Sequence, residues 1–345
     1  MHTSLISIPA GKRDSPVIIG QGALSELPRL LKSLEPVDSI FILFDEHVLN
    51  FAKLVHADSA GSVLIPVPSG EASKSLQETE RILRQLLDHG ASRQSVIITV
   101  GGGMMTDLGG FVASIYMRGI RCIHVPTTLL CMVDAAIGGK TGVDLGEMKN
   151  IIGHYHHPSA IIEDTDFLAT LPPRRLREGL VEVIKIAAMR DADFFSFLEE
   201  HCEEILRKDA VMLERCICRA VELKASVVAG DEQDQAGRLF LNFGHTIAHA
   251  LEAVSSFGIS HGEAVSIGMI AEMSIVRSPD TERVRTLLRN IDMPTEIPEE
   301  YGLEKLIPFM RHDKKNIAGK IRIAVPRTLG RGELLDLDPS TLQPR

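Results

Sequence analysis

The chain predicts two domains of different class: an α/β unit built on a parallel sheet over residues 1–171, then an all-helical unit over residues 172–345. Three observations lead there. Short apolar runs alternate with amphipathic segments in the first half, a proline pair interrupts the chain at Leu171-Pro172-Pro173, and beyond it the apolar pattern becomes helical. Ile40–Phe44 is an apolar run of strand length ending at Asp45, and Val63–Val67 is a second. Ser75 to His89 reads as an amphipathic helix, and Val96–Val100 as another buried strand. This rhythm sets the strands parallel, with helices on both faces. Proline restricts the residue before it and cannot continue a ladder, which fixes the boundary. Residues 174–190, 192–207, 210–229 and 240–255 then carry helical periodicity with good helix formers and few β-branched runs.

Composition excludes several classes of function. A length of 345 residues with 44% hydrophobic content supports two separate cores without covalent staples. The five cysteines form no CxxC pair and lie mostly in apolar or helical stretches, so reduced, buried thiols and a cytoplasmic location are expected. Residues 1–16 contain no signal-peptide core, and no run approaches the ~18 apolar residues of a membrane span. A net charge of −9, 4% aromatic residues and no tryptophan argue against a nucleic-acid partner. An anionic small substrate stays compatible with that charge, because a few cations in a cleft outweigh a mildly acidic exterior.

Two clusters carry chemistry. Val96–Val100 runs into Gly101-Gly102-Gly103 and Asp107, which puts bare backbone at a strand end where a pyrophosphate can approach. The first domain is therefore expected to be a Rossmann-like dinucleotide-binding unit. The glycines do not match GxGxxG, and three glycines after a strand are also an ordinary tight turn. Pro126-Thr127-Thr128 and Gly138-Gly139-Lys140-Thr141-Gly142 fail the phosphate-loop pattern but add hydroxyls, amides and an ammonium. Asp134 precedes Lys140 by six residues; the two either orient substrate hydroxyls together or form a loop ion pair.

The second cluster is Asn242-Phe243-Gly244-His245-Thr246-Ile247-Ala248-His249 with His261-Gly262-Glu263. His245 and His249 are four apart and share a helix face, so by spacing alone they form an HxxxH metal pair. Glu182 and Lys185 form a charged pair inside the apolar Leu180-Val181-Glu182-Val183-Ile184-Lys185 and supply a further ligand, unless they are a surface salt bridge. A dinucleotide site together with a metal site points to redox chemistry at a carbon bearing oxygen.

Taken as ordered strings, these residues resemble the 3-dehydroquinate synthase family of the sugar phosphate cyclases. The strings are Ser69-Gly70-Glu71 with Lys74, Gly101 to Asp107, Met117-Arg118-Gly119, Pro126 to Leu130, Val133-Asp134 and Gly138 to Gly142. They continue with Lys149-Asn150-Ile151-Ile152-Gly153, Glu182 to Lys185, Lys224-Ala225, Leu241 to His249, His261-Gly262-Glu263 and Asp313-Lys314-Lys315. The resemblance implies Zn2+ (or Co2+) held by Glu182, His245 and His261, with His249 turned to the substrate. It implies NAD contacts from Asp45, Glu71, Lys74, Gly101, Gly102, Gly103, Asp107, Thr127, Thr128, Lys140, Lys149 and Thr170. It implies a phosphate grip from Lys140, Asn150, Asn242, His249 and Lys314, a carboxylate clamp from Lys224 and Arg238, and hydroxyl orientation by Asp134 and Asp234. Lys185 would stabilise negative oxygen at the redox carbon.

The implied substrate is 3-deoxy-D-arabino-heptulosonate 7-phosphate, oxidised transiently, stripped of phosphate, reduced again and closed by an internal aldol to 3-dehydroquinate. A homodimer is implied in which Arg118 reaches the neighbouring phosphate pocket, and Phe111, Ile115 and Tyr116 read as its apolar contact face. Thr106, Ala135-Ala136, Met148 and Asp234 depart from the commonest family pattern. The rival readings are a valiolone-type or aminodehydroquinate cyclase, a metal-dependent polyol dehydrogenase that releases NADH, and a non-catalytic NAD-binding paralogue.

Overall fold

The computed structural model describes residues 3–9, 14–146, 148–231, 237–256, 258–311, 316 and 319–339, with 237 and 238 as backbone alone. Contacts divide the chain into two units, Met1–Pro172 with Lys224–Gln233, and Pro173–Leu223 with Asp234–Arg345.

The first unit runs β1 (Ser4–Ile8), β2 (Ser15–Gly20), α1 (Leu27–Ser33), β3 (Ile40–Asp45), α2 (Leu49–Ala57), β4 (Val63–Val67) and α3 (Leu76–Asp88). It continues through β5 (Val96–Gly101), α4 (Gly103–Ile115), β6 (Arg121–Pro126), β7 (Lys140–Leu145), β8 (Met148–Tyr155) and β9 (Ala160–Asp164). Seven strands form a sheet in the order β1-β2-β9-β6-β5-β3-β4, parallel except for β1, while β7 and β8 pair as a separate antiparallel hairpin. Side chains alternate across the sheet with period two. Phe41, Leu43 and Ile97 pack with α3 and α4, whereas Ile42, Phe44, Ile98 and Val100 pack with α1 and α2. Covering both faces explains why β5 is apolar and buried along its length. Ser75 caps α3, accepting from the Glu78 N–H at 3.2 Å, so the helix starts where the polar residue precedes the amphipathic run.

From β3 the chain steps outward to β4 and then returns to β5 on the other side of β3. Strand order therefore reverses between β3 and β5, and the crevice beyond their carboxyl ends is where such sheets take ligands. Asp45 ends β3 and Gly101 ends the adjacent β5, with Phe44 and Val100 in register.

The second unit holds α5 (Pro173–Arg190), α6 (Ala192–Leu206), α7 (Ala210–Gly230), α8 (His245–Val254), α9 (His261–Ile275), α10 (Thr281–Asn290) and α11 (Leu303–Met310). The part of α7 from Lys224 onward groups with the first unit. To the expected helices the structure adds an antiparallel hairpin, β10 (Ile321–Thr328) and β11 (Arg331–Leu337). α5 is buried on nearly every face from Leu176 to Met189, the behaviour of a core helix. Each fully buried Val or Ile there, such as Val181, Val183 and Ile184, contributes about 1.5–3 kcal/mol. Asp191 caps α6 through the Phe194 N–H at 2.9 Å. No helix among the described residues is long and apolar enough to cross a membrane.

The supposed contact face on α4 is corrected by its packing. Phe111 and Tyr116 lie in the core of their own unit, with the Tyr116 hydroxyl donating to the Ala91 carbonyl at 2.9 Å, and only Ile115 is exposed. Helix periodicity marks an apolar face without saying whether the same chain already covers it.

Candidate active site

In the second unit Glu182, His245 and His261 each offer one ligand atom, and these atoms lie within 4.8 Å of one another. Close helix packing brings them together. A Cβ on Gly262 would lie 2.8 Å from the Glu178 Cα, so glycine lets α9 approach α5. A Cβ on Gly268 would lie 2.0 Å from the Gly244 carbonyl oxygen, so α9 also touches the start of α8. Gly244 itself holds φ at 78°, which reverses the chain just before His245. His261 is the first residue of α9, where Glu263 reaches back to accept the Ser260 N–H at 3.0 Å. That assigns Glu263 to capping.

Glu182 is only 3% exposed, which excludes the surface salt bridge. Neither of its carboxylate oxygens has a hydrogen bond of normal geometry, yet the Lys185 ammonium, His245 Nε2 at 3.9 Å and His261 Nε2 at 3.6 Å surround it. Burial works against its charge, but Lys185 and the two imidazoles outweigh that and hold the carboxyl well below its usual range. His245 is pushed well below the usual imidazole value by burial and then by Lys185, whereas for His261 burial is outweighed by the Glu182 and Glu252 carboxylates, which lift it to about 10. His245 Nδ1 lies 3.1 Å from the Phe243 carbonyl, leaving Nε2 toward Glu182. One anionic carboxylate and two imidazoles, with a buried carboxylate short of donors, fit a divalent metal that keeps open positions. His249 stands outside this group: it is exposed, its ring edge-on to His245 at 5.5 Å. Among the described residues, the group whose ligand atoms converge therefore takes His261 and not the His249 of the HxxxH spacing.

In the first unit a Cβ on Gly101 would lie 2.5 Å from Met105 Cγ and 3.3 Å from Asp45 Cβ, and one on Gly102 would lie 3.3 Å from Thr128 Cγ2. Asp45, the glycine turn and Thr128 therefore crowd one strand edge. The Thr127 N–H donates to the Gly101 carbonyl at 2.9 Å, and Asp45 accepts from the His47 N–H at 2.9 Å. Lys74, 3% exposed, donates to Asp107 at 2.6 Å, contacts the Asn150 side chain, and lies 3.9 Å from Glu71. Burial lifts the Asp107 carboxyl to about 6 against the pull of Lys74. For Lys74, burial is outweighed by Asp107 and Glu71, and its pKa is raised. Asn150 adopts φ 54°, steadied by its N–H to Asp144 at 2.7 Å. Arg118, Lys140, Lys149 and Thr170 are exposed, and Asn242 is half-buried in the 3₁₀ turn ahead of α8.

Asp134 sits in a π turn, Cys131–Ala135, and its carboxylate contacts Lys224. The Lys224 ammonium also donates to the Asp134 carbonyl at 2.5 Å. Of the two expectations for Asp134 and Lys140, the loop ion pair gives way to Asp134–Lys224, because α7 delivers a buried ammonium to that carboxylate. Lys224 thus has an anionic neighbour within the chain. Asp234, Lys314 and the Arg238 side chain lie outside the described residues.

Two carboxylates escaped the sequence reading. Glu272, 0% exposed, accepts from the N–H groups of Gly244 at 2.8 Å, Thr246 at 3.1 Å and Ile247 at 3.4 Å. Glu252 lies against His261. Glu272 carries the signal that exposed Glu182, an acid inside an apolar helical run, Ile270-Ala271-Glu272-Met273.

Residues 64–178 match the family model described as 3-dehydroquinate synthase N-terminal, and residues 179–316 the one described as 3-dehydroquinate synthase C-terminal. The chain belongs to the 3-dehydroquinate synthase family. It is 37% identical over 341 residues to the 3-dehydroquinate synthase of Desulforamulus reducens (strain ATCC BAA-1160 / DSM 100696 / MI-1), covering 95% of each chain. It is 43% identical over 281 residues to that of Xanthomonas axonopodis pv. citri (strain 306), covering 78% of this chain and 76% of the relative. Among solved structures it resembles a 2-deoxy-scyllo-inosose synthase complexed with carbaglucose-6-phosphate, NAD+ and Co2+, with TM-score 0.87, 25% identity and 98% of each chain covered. It also resembles the 2-epi-5-epi-valiolone synthase of Streptomyces hygroscopicus subsp. jinggangensis 5008 with NAD+ and Zn2+ bound, with TM-score 0.86, 25% identity and 97% and 96% covered. The 3-dehydroquinate synthase family expected from the motif strings is the family found.

Proposed function

We propose that the chain converts 3-deoxy-D-arabino-heptulosonate 7-phosphate to 3-dehydroquinate and phosphate, with NAD regenerated in every cycle and one divalent metal, Zn2+ or Co2+, as Lewis acid. The observation that carries this reading is the Glu182–His245–His261 cluster beside Lys185, in a 3-dehydroquinate synthase family chain. When bound, NAD accepts and returns hydride, and the metal polarises the oxygen at the redox carbon. Glu182, His245 and His261 hold that metal. Lys185 adds a fixed positive charge where the oxygen becomes negative, and a preorganised donor of this kind supplies about 3–4 kcal/mol. Asp45, Glu71, Lys74, the Gly101–Asp107 turn, Thr127, Thr128, Lys140, Lys149 and Thr170 bind the dinucleotide.

Lys140, Asn150, Asn242, His249 and Lys314 grip the phosphate, and His249 relays the proton lost as phosphate departs. Lys224 and Arg238 clamp the substrate carboxylate, with Lys224 exchanging Asp134 for it. Asp134 and Asp234 orient hydroxyls. We place the enzyme in the cytoplasm as a homodimer, with Arg118 reaching the phosphate pocket of the second copy. The exposed Met117, Leu145, Met148, Ile151 and Tyr155, together with Ile115, supply an apolar surface for that contact.

The test is phosphate release from the heptulosonate and from sedoheptulose 7-phosphate, assayed side by side. The second sugar has a hydroxymethyl group where the first has a carboxylate, so it leaves the clamp unpaired. Faster release from the heptulosonate with no lasting NADH absorbance is expected. Faster release from sedoheptulose 7-phosphate moves the chain to the valiolone-type cyclases, and stoichiometric NADH makes it a dehydrogenase.

A further inference from the structure

The two imidazoles of the candidate metal centre are held from behind in different ways. His245 Nδ1 faces a peptide carbonyl, that of Phe243 at 3.1 Å. His261 Nδ1 faces a carboxylate, Glu252 Oε1 at 3.4 Å, while its Nε2 faces Glu182 Oε1 at 3.6 Å. The Glu252 side chain is 9% exposed and that of His261 37%, against 12% for His245. The more exposed ligand, on the first residue of α9, is therefore the one opposed by a buried charge. A neutral imidazole has one N–H and one lone pair, so an N–H engaged at Nδ1 leaves the lone pair at Nε2. A carboxylate acceptor enforces that choice more strongly than a carbonyl does. Glu252 lies two turns after His245 on α8, close to the same face. That helix thus supplies one ligand and steadies another that belongs to α9.

We propose that Glu252 is a positioning residue of the metal centre: by accepting Nδ1–H of His261 it fixes the tautomer and the ring orientation and makes Nε2 the stronger metal donor. The proposal rests on the assignment of Glu182, His245 and His261 as ligands. It does not require Glu252 to touch metal, cofactor or substrate.

The experiment compares the wild-type chain with Glu252→Gln, Glu252→Ala and His261→Ala after chelator treatment, each checked by circular dichroism. Zn2+ affinity is read by competition with a chromophoric chelator, and the visible spectrum of Co2+ reports ligand geometry. Glu252→Ala is expected to bind one metal per chain with affinity lowered about 10–100-fold, the usual effect of removing a partner behind a ligand. Its Co2+ bands should shift. Glu252→Gln, whose amide oxygen still accepts Nδ1–H, should restore part of the affinity and most of the spectrum. His261→Ala should lose the site. Wild-type affinity and spectrum in Glu252→Ala, with metal lost from His261→Ala, would overturn the positioning role. Unchanged metal binding in His261→Ala would instead overturn the ligand assignment beneath it. If Glu252→Ala does not fold, Glu252→Leu, which keeps the bulk without an acceptor, takes its place, and full wild-type affinity with an unshifted spectrum in that variant counts against the role.

Discussion

Replacing Glu272 with alanine should destabilise the second unit more than a change of its size on a surface would. The side chain has 0% exposure and gathers three backbone N–H groups at the start of α8, at 2.8, 3.1 and 3.4 Å. Alanine leaves those donors at the start of α8 without this acceptor. Each buried donor left unpaired costs about 1–3 kcal/mol, and the longest contact counts least, so the variant should lose roughly 3–6 kcal/mol. For a unit of this size each kcal/mol moves Tm by about 2–4 °C, which makes the smaller loss a fall of roughly 6–12 °C. Glu272→Gln keeps the volume but turns an NH2 group toward the same donors, and should fall between alanine and wild type. Thermal unfolding by far-UV circular dichroism measures the shift, and Tyr301 is the one tyrosine of the second unit, in a chain without tryptophan. Because His245 is the first residue of α8, weaker metal retention should accompany the fall. A Tm within about 1 °C of wild type in Glu272→Ala would refute the reasoning.

Glu182→Ala, His245→Ala and His261→Ala should each lose the metal, while His249→Ala keeps it and loses activity; metal analysis of the four variants decides, and an empty site in His249→Ala moves that residue into the ligand set. His124 is 3% exposed, with Nδ1 2.7 Å from Thr99 Oγ1, and burial, then His156, presses its pKa down to about 3. The unfolded chain binds this proton near pH 6.5 and the folded chain does not. The contribution is therefore present above about 6.5 and lost as pH falls toward about 3, by at most ~1.4 kcal/mol per pH unit. Urea midpoints of His124→Gln should fall less steeply over that range than wild type, and parallel profiles would exclude the effect. Mixing Arg118→Ala subunits with His249→Ala subunits should recover partial activity, and verified mixed dimers without recovery would exclude a shared site.

The sheet was legible because a parallel strand covered on both faces leaves a largely apolar run, and Ile40–Phe44 and Val96–Val100 carry one, with Phe41–Phe44 and all of β5 buried. β10 and β11 were not, since their alternation is interrupted by Pro326 and their outer residues are only partly buried. Glu182 stood out as an acid among Val, Ile and Leu. Which histidine converges with Glu182 and His245 did not follow from spacing, because that convergence depends on glycine-mediated contact between α5, α8 and α9, which leaves no periodic trace. The Lys224–Asp134 contact joins residues ninety positions apart. No local pattern encodes it.

The π turn that holds Asp134 has a consequence for insertions and deletions. Its Ala136 N–H reaches back five residues to the Cys131 carbonyl at 3.0 Å, so it accommodates one residue more than an α-helical turn would. Deleting a single residue here would let the segment relax to ordinary helical hydrogen bonding. The same deletion would rotate whatever follows by about 100°, the angular step of one helical residue. A shorter loop would therefore be the more regular one, and it would aim its carboxylate away from Lys224. Length, as much as residue identity, is what keeps this acid in place.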